Sequence, residues 1–180
     1  MSEELIKSCL EKVCSANPDD KQKHLIYKKL GIKLPPVPKC PHAFITIQID
    51  DKKLVEERRQ EIGTLASLLT TFKFMKSNIY SFCIENYSKE YPNGGNLHFH
   101  YLVKQSDCIL NKTKILRNVQ TKYKDCIKVV NYQHSDSLEH YKNRLAYILG
   151  EKQGAEKLVF QERDCVWRAQ NNIDPYYTNA

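Results

Sequence analysis

The segment between residues 78 and 104 constrains the fold more than any other part of the chain. Two runs rich in β-branched and aromatic residues, 78–87 (NIYSFCIENY) and 96–104 (NLHFHYLVK), flank the cluster Tyr91-Pro92-Asn93-Gly94-Gly95. Proline, asparagine and paired glycines supply the backbone angles of a chain reversal, so the two runs are expected to pair as an antiparallel hairpin. A lone hairpin is marginal in water, so further strands and helices must cover at least one of its faces.

Those elements can be read on either side. Residues 42–50 (HAFITIQID) alternate like a buried strand, and 51–74 read as one long helix with Leu54, Val55, Ile62, Leu65, Leu68 and Leu69 as its apolar stripe. After the hairpin come a short helix over 112–119, a strand over 126–132, a helix over 136–149 and a last strand over 157–160. Asp136 with Glu139 suggests a capping box for the later helix, and Gly150 stands where a C-terminal glycine belongs. This order predicts an α+β fold: an antiparallel sheet of about five strands with helices packed on it, of the split βαβ, ferredoxin-like kind.

Ahead of the domain, residues 1–40 read as a helical arm. Leu5, Ile6, Cys9, Leu10 and Val13 recur at helical spacing, Pro18 breaks the pattern, and a second helix is expected over 19–30. Lys21, Lys23, Lys28, Lys29, Lys33 and Lys39 make the arm basic, and 34–41 (LPPVPKCP) reads as an extended linker. The domain is expected over 41–168, with a polar tail over 169–180.

Composition narrows the function. No apolar run approaches the ~20 residues of a membrane-spanning helix, and the charged N-terminus does not resemble a secretory signal, so a reducing, intracellular compartment and no membrane partner are expected. Seven cysteines are scattered without a C-x-x-C pair, which favours free thiols. The excess of 28 Lys and Arg over 21 Asp and Glu favours a polyanionic partner.

Residues two apart on a strand share a face, so His98 and His100 present adjacent imidazoles while Leu97, Phe99 and Tyr101 point to the other side. Glu85, on the preceding strand, falls roughly opposite them. A one-residue slip would turn it away, which leaves Glu90 as the alternative carboxylate. Two imidazoles and one carboxylate suit a divalent ion with open positions, Mn²⁺ or Mg²⁺, that polarises a phosphate. A second constellation lies on the helix over 136–149, where Leu138, Tyr141, Leu145 and Leu149 form the expected buried stripe. Tyr147 lies off that stripe, beside His140, Asn143, Arg144 and Glu151. A tyrosine in a polar, basic neighbourhood can act as a nucleophile toward a polarised phosphate.

The strand AFITIQID, the His-Phe-His strand at 98–100 and the helix carrying Tyr-x-x-x-Glu (YILGE, 147–151) resemble, in order and spacing, the three motifs of HUH endonuclease domains. Such domains belong to rolling-circle replication initiators (Rep), above all those of eukaryotic circular single-stranded DNA viruses. The resemblance covers about residues 42–160. It implies that Tyr147 attacks a DNA phosphate at a replication-origin hairpin, leaving a 5′-phosphotyrosine link and a free 3′-hydroxyl, and then reverses to join ends. It further implies that Glu85, His98 and His100 hold the metal, with Glu151 assisting. Gly150 occupies the position where that family usually has a lysine, and Lys152 is assigned the lysine's role at the scissile phosphate. A viral protein of this kind would work in the host cell nucleus with host replication proteins, and normally continues into a helicase domain. No G-x-x-x-x-G-K-[ST] occurs here, so the chain reads as an excised nicking domain or a standalone Rep.

For single-stranded DNA, the candidate contacts are Lys104, Lys112, Lys114, Arg117, Lys122, Lys124, Lys128 and Arg144, with Tyr87, Tyr123 and Tyr132 as stacking surfaces. Two rival readings stand beside the Rep type: a transposase or relaxase using the same metal pair, and a non-catalytic single-stranded nucleic-acid-binding module. The last predicts aromatics, not histidines, on the open face of the hairpin.

Overall fold

The computed structural model describes residues 29, 31, 39–50, 52–54, 61–123, 125–151 and 154–180, and the fold is that of the unit Lys39–Ala180. The arm expected over 1–40 lies almost wholly outside the described residues.

Strand β1, Lys39–Ile49, forms because Ala43, Ile45, Ile47 and Ile49, all buried, alternate with half-buried Phe44, Thr46 and Gln48. It starts two residues before the expected domain boundary and takes in Pro41. The register against its neighbour shifts between Lys39 and His42, and a strand tolerates proline at such an irregularity. Strands β2 (Ile79–Glu85) and β3 (His98–Lys104) are the expected hairpin. Asn86 organises their connection, accepting the Gly95 N–H at its side chain and the Asn96 N–H at its carbonyl, while Gly94 and Gly95 take positive φ of 86° and 87°.

With β4 (Ile127–Ser137) and the short β5 (Tyr177–Thr178), the strands form an antiparallel five-stranded sheet of order β4-β1-β3-β2-β5. β1 and β2 each pair with β3 between them, so they run parallel to each other on either side of it. The fifth strand differs from the expected one. Residues 157–160 belong to a helix, Ala155–Gln170, and the stretch taken as a polar tail contributes β5 instead, pairing Tyr177 with Phe82.

The long helix expected over 51–74 is also replaced, in its described part, by short pieces: α1 (Ile62–Ser67), a 3₁₀ turn (Leu68–Thr71) and α2 (Lys73–Lys76). The break has a cause in the elements around it, β3 and the helix Lys112–Tyr123. The buried hydroxyls of Tyr101 and Tyr123 donate to the carbonyls of Ala66 and Leu65, and Thr70 and Thr71 donate to those of Ser67 and Leu68. Side chains thus satisfy carbonyls that a continuing helix would have used, and Phe72 turns extended (φ −71°, ψ 148°).

Helix α3, Lys112–Tyr123, buries Ile115, Val119 and Tyr123, spaced four apart. Helix α4, Leu138–Ile148, follows β4 directly; Ser137, not Asp136, caps it by accepting the His140 N–H. It ends in a Schellman turn: Gly150 has φ +88°, its N–H bonds the Tyr147 carbonyl, and Glu151 N–H bonds that of Ala146. Helix α5 is Ala155–Gln170.

The alternation along the strands separates two faces. One carries Ala43, Ile45, Ile47, Phe82, Ile84, Phe99, Tyr101 and Val103, packed against Leu65, Ala66, Leu69, Ile115, Val119 and Tyr123 from α1, the 3₁₀ turn and α3. The other carries Phe44, Cys83 and Leu102, packed against Tyr141, Leu145, Tyr147 and Ile148 of α4. The polar side chains of the hairpin lie on this second face.

Candidate active site

The β2–β3 register sets the site. Glu85 pairs with His98 and Cys83 with His100, so Glu85, His98 and His100 project from one face of adjacent strands. All three are buried, at 3%, 8% and 9% exposure. His98 Nδ1–H donates to the Asn96 carbonyl, and His100 Nδ1 lies 3.0 Å from Thr46 Oγ1 on β1. Held this way, both rings aim Nε2 at the Glu85 carboxylate: 3.3 Å from His98 and 3.6 Å from His100, each to Oε2.

Helix α4 brings the fourth group. The Tyr147 hydroxyl donates to Glu85 Oε2 at 2.9 Å and lies 3.4 Å from His100 Nε2. Its ring meets His100 and Phe44 edge-on, Phe44 stacks on His100, and the Arg144 guanidinium sits 5.5 Å over the Phe44 ring. Burial, and then the Glu85 carboxylate beside it, hold the Tyr147 phenol far above its ordinary range. The stripe of α4 that faces the sheet is Tyr141, Leu145, Tyr147 and Ile148, so Tyr147, expected off the stripe, belongs to it; Leu149, expected in it, is 38% exposed.

One ring nitrogen of each histidine and one Glu85 oxygen lie within 4.8 Å of one another, and this set could hold a metal ion. The donor chemistry fits. In the neutral imidazole, donation from Nδ1 of His98 leaves Nε2 as the lone-pair nitrogen, directed at a carboxylate oxygen. Lone pairs converging in a buried space favour a proton or cation among them.

Other expected residues stand elsewhere. Glu151 is exposed at the turn after α4 and does not join the cluster, and Glu90 is exposed in the loop beyond β2. His140 bonds Ser135 through Nδ1 at 3.1 Å. Lys112, Lys114, Arg117 and Lys122 are exposed on α3, which packs on the opposite face of the sheet, so the structure does not bring them to the site. Lys104 places its ammonium 5.6 Å over the Tyr141 ring, and Arg144 donates to Gln133 Oε1 at 3.0 Å. Lys128 is exposed with its ammonium over the Tyr91 ring. Tyr123 is core and Tyr132 half-buried. Lys124 and Lys152 lie outside the described residues.

A cleft of about 310 Å³ opens beside the cluster, its walls including Glu85, His98 and Tyr147 together with Tyr87, Lys157 and Phe160. The last two come from α5 and were hidden from a sequence reading that placed a strand there. Comparison with protein-family models, curated proteins and solved structures found no match for this chain. Among the described residues, no helix is long and apolar enough to cross a membrane.

Proposed function

We propose that the chain is a metal-dependent tyrosine endonuclease and strand-transferase of the HUH type, acting on single-stranded DNA at a replication-origin hairpin as a Rep nicking domain does. The observation that carries this reading is the Tyr147 hydroxyl, aimed from α4 into a buried Glu85-His98-His100 set at 2.9 Å from the carboxylate and 3.4 Å from an imidazole. A packing tyrosine has no need of that company. The order β4-β1-β3-β2, with β3 between parallel β1 and β2, is compatible with the ferredoxin-like sheet that such a domain requires.

Glu85, His98 and His100 are the residues that would hold Mn²⁺ or Mg²⁺, and the ion would supply polarisation of the scissile phosphate. Thr46 and the Asn96 carbonyl fix the two rings. Glu85 Oε2 accepts the Tyr147 O–H and so orients the phenolic oxygen. That oxygen forms a bond to phosphorus, and the bond from phosphorus to the 3′ oxygen breaks. The proton lost by the phenol is matched by the one the departing 3′-hydroxyl gains, and reversal joins two ends.

The test is an adduct assay. The native chain, incubated with Mn²⁺ and a labelled hairpin with a single-stranded loop, is expected to yield a denaturation-resistant protein–DNA band. Tyr147→Phe is expected to yield none, a loss of at least about 10³-fold by analogy with removal of other nucleophiles. An undiminished band from Tyr147→Phe would remove Tyr147 as the nucleophile.

A further inference from the structure

We infer that α5 and the loop after β2 build a nucleotide subsite beside the reacting tyrosine, in which Lys157 pairs with a backbone phosphate and Phe160 stacks on a base. The reacting groups rest on the nicking reading above, but the subsite rests on the cleft. Glu85, His98 and Tyr147 form one wall, and Tyr87, Lys157 and Phe160 line the rest. A strand whose phosphate reaches the Tyr147 hydroxyl can lay a neighbouring nucleotide in this space.

The lining suits that occupant. At about 310 Å³ the cleft is at the small end of ligand sites, which fits one nucleotide unit and not a duplex. Tyr87 and Phe160 are half-buried; the Arg163 guanidinium sits 6.0 Å over one face of the Phe160 ring, which leaves its other face for a base, whose π-face is available whatever its identity. Lys157 is exposed on the same rim. Lys89 also lines the cleft, but Glu156 answers its charge at 3.5 Å, an exposed pair that contributes little. Lys89 and Lys157 are thus the lysines of this lining that can meet phosphate, and Lys157 is the one that α5 carries beside Phe160.

The test measures binding, which separates it from the adduct assay. Anisotropy of a fluorescein-labelled thymidine oligonucleotide is titrated with the full chain at several salt concentrations, and compared with a fully abasic strand of equal length. The native chain is expected to bind the abasic strand about tenfold more weakly. In Phe160→Leu, which keeps an apolar side chain without a ring, that difference is expected to shrink several-fold. Lys157→Ala is expected to weaken both strands alike and to lower the slope of log K against log salt by about 0.7. An unchanged base dependence in Phe160→Leu, or an unchanged slope in Lys157→Ala, overturns the subsite. A native chain that binds with this pattern yet forms no adduct would sink the nicking reading and leave the subsite standing; one that binds no oligonucleotide sinks both.

Discussion

Replacing Glu85 by glutamine separates a metal site from a packing cluster, because the two readings give opposite signs. The side chain is 3% exposed and its Oε2 lies 2.9 Å from the Tyr147 hydroxyl, 3.3 Å from His98 Nε2 and 3.6 Å from His100 Nε2. Glutamine keeps the shape and an oxygen to accept from Tyr147, so the hydrogen bond weakens by about 1 kcal/mol on losing its charge. With both imidazoles neutral, removing the buried carboxylate charge offsets that loss by a similar or larger amount, so the metal-free variant should melt at or above the native temperature. Metal reverses the order. At a free Mn²⁺ concentration of about 100 times Kd, a site present only in the folded chain stabilises it by about 2.7 kcal/mol. For a chain of this size that raises Tm by about 5–10 °C. With Kd raised about 100-fold in Glu85→Gln, the same Mn²⁺ gives about 0.4 kcal/mol, a shift of about 1 °C. The assay is a thermal melt with and without Mn²⁺, and Glu151→Gln, altered at an exposed residue outside the cluster, should keep the full response. Equal Mn²⁺ shifts in Glu85→Gln and the native chain would refute the metal site, as would a native chain that does not respond at millimolar Mn²⁺.

Tyr101→Phe and Tyr123→Phe each remove a hydroxyl donor from a buried carbonyl, of Ala66 and of Leu65, the latter keeping the Leu68 N–H; each should destabilise by about 1–3 kcal/mol in urea titrations, Tyr123→Phe toward the lower end, and no loss would remove the account of why α1 stops. Asn78, buried at 3%, donates to the Phe74 and Cys108 carbonyls and accepts from the Ser106 and Cys108 N–H groups. Asn78→Ala should therefore cost about 3 kcal/mol or more, read as a lower urea midpoint at unchanged m. Burial holds the fully enclosed His42 imidazole below its ordinary range. Below about pH 6.5 the unfolded chain binds a proton there that the folded chain refuses, so His42 makes stability fall as pH drops from 6.5 toward its folded value. His42→Gln should flatten the urea midpoint between about pH 7 and 5, and an equal slope would assign the acid sensitivity to other groups.

Where burial follows hydrophobicity, the fold is legible in the residues. The alternation Ala43, Ile45, Ile47 marks β1, and the helix expected over 112–119 is the first part of α3, which runs on to Tyr123, a core residue where a stacking surface was expected. Helix α5 escapes because its buried residues are Asp164 and Arg168, while Leu158, Val159 and Val166 face outward. Asp164 accepts the N–H groups of Asn86 and Tyr87, and Arg168 donates to the Ile84 carbonyl, so this helix docks on the end of β2 by hydrogen bonds. A search for apolar periodicity looks for the wrong face. The break after α1 escapes for a related reason, since the tyrosines that satisfy its carbonyls come from β3 and α3, distant in sequence.

The site itself divides the same way. Period-two alternation alone places His98 and His100 on one face, but only the pairing of Glu85 with His98 turns the carboxylate toward them and sets Glu90 aside. The residues single out Tyr147 as lying off the apolar stripe, whereas it packs with Tyr141, Leu145 and Ile148, and its distance to Glu85 depends on how α4 crosses a sheet face made of Phe44, Cys83 and Leu102. Stability argues against this arrangement as mere packing. A buried carboxylate, two imidazoles and a phenol lie where apolar side chains would fill the same space at lower free energy. Next to them, on the same strands, Leu102 and Cys83 show that the face accepts apolar residues. His42, fully enclosed on the same face, shows that a buried imidazole alone is no mark of a site; what sets the other four apart is that two imidazoles and a phenol converge on Glu85 Oε2 within 3.6 Å, as the proposed metal and nucleophile roles would require.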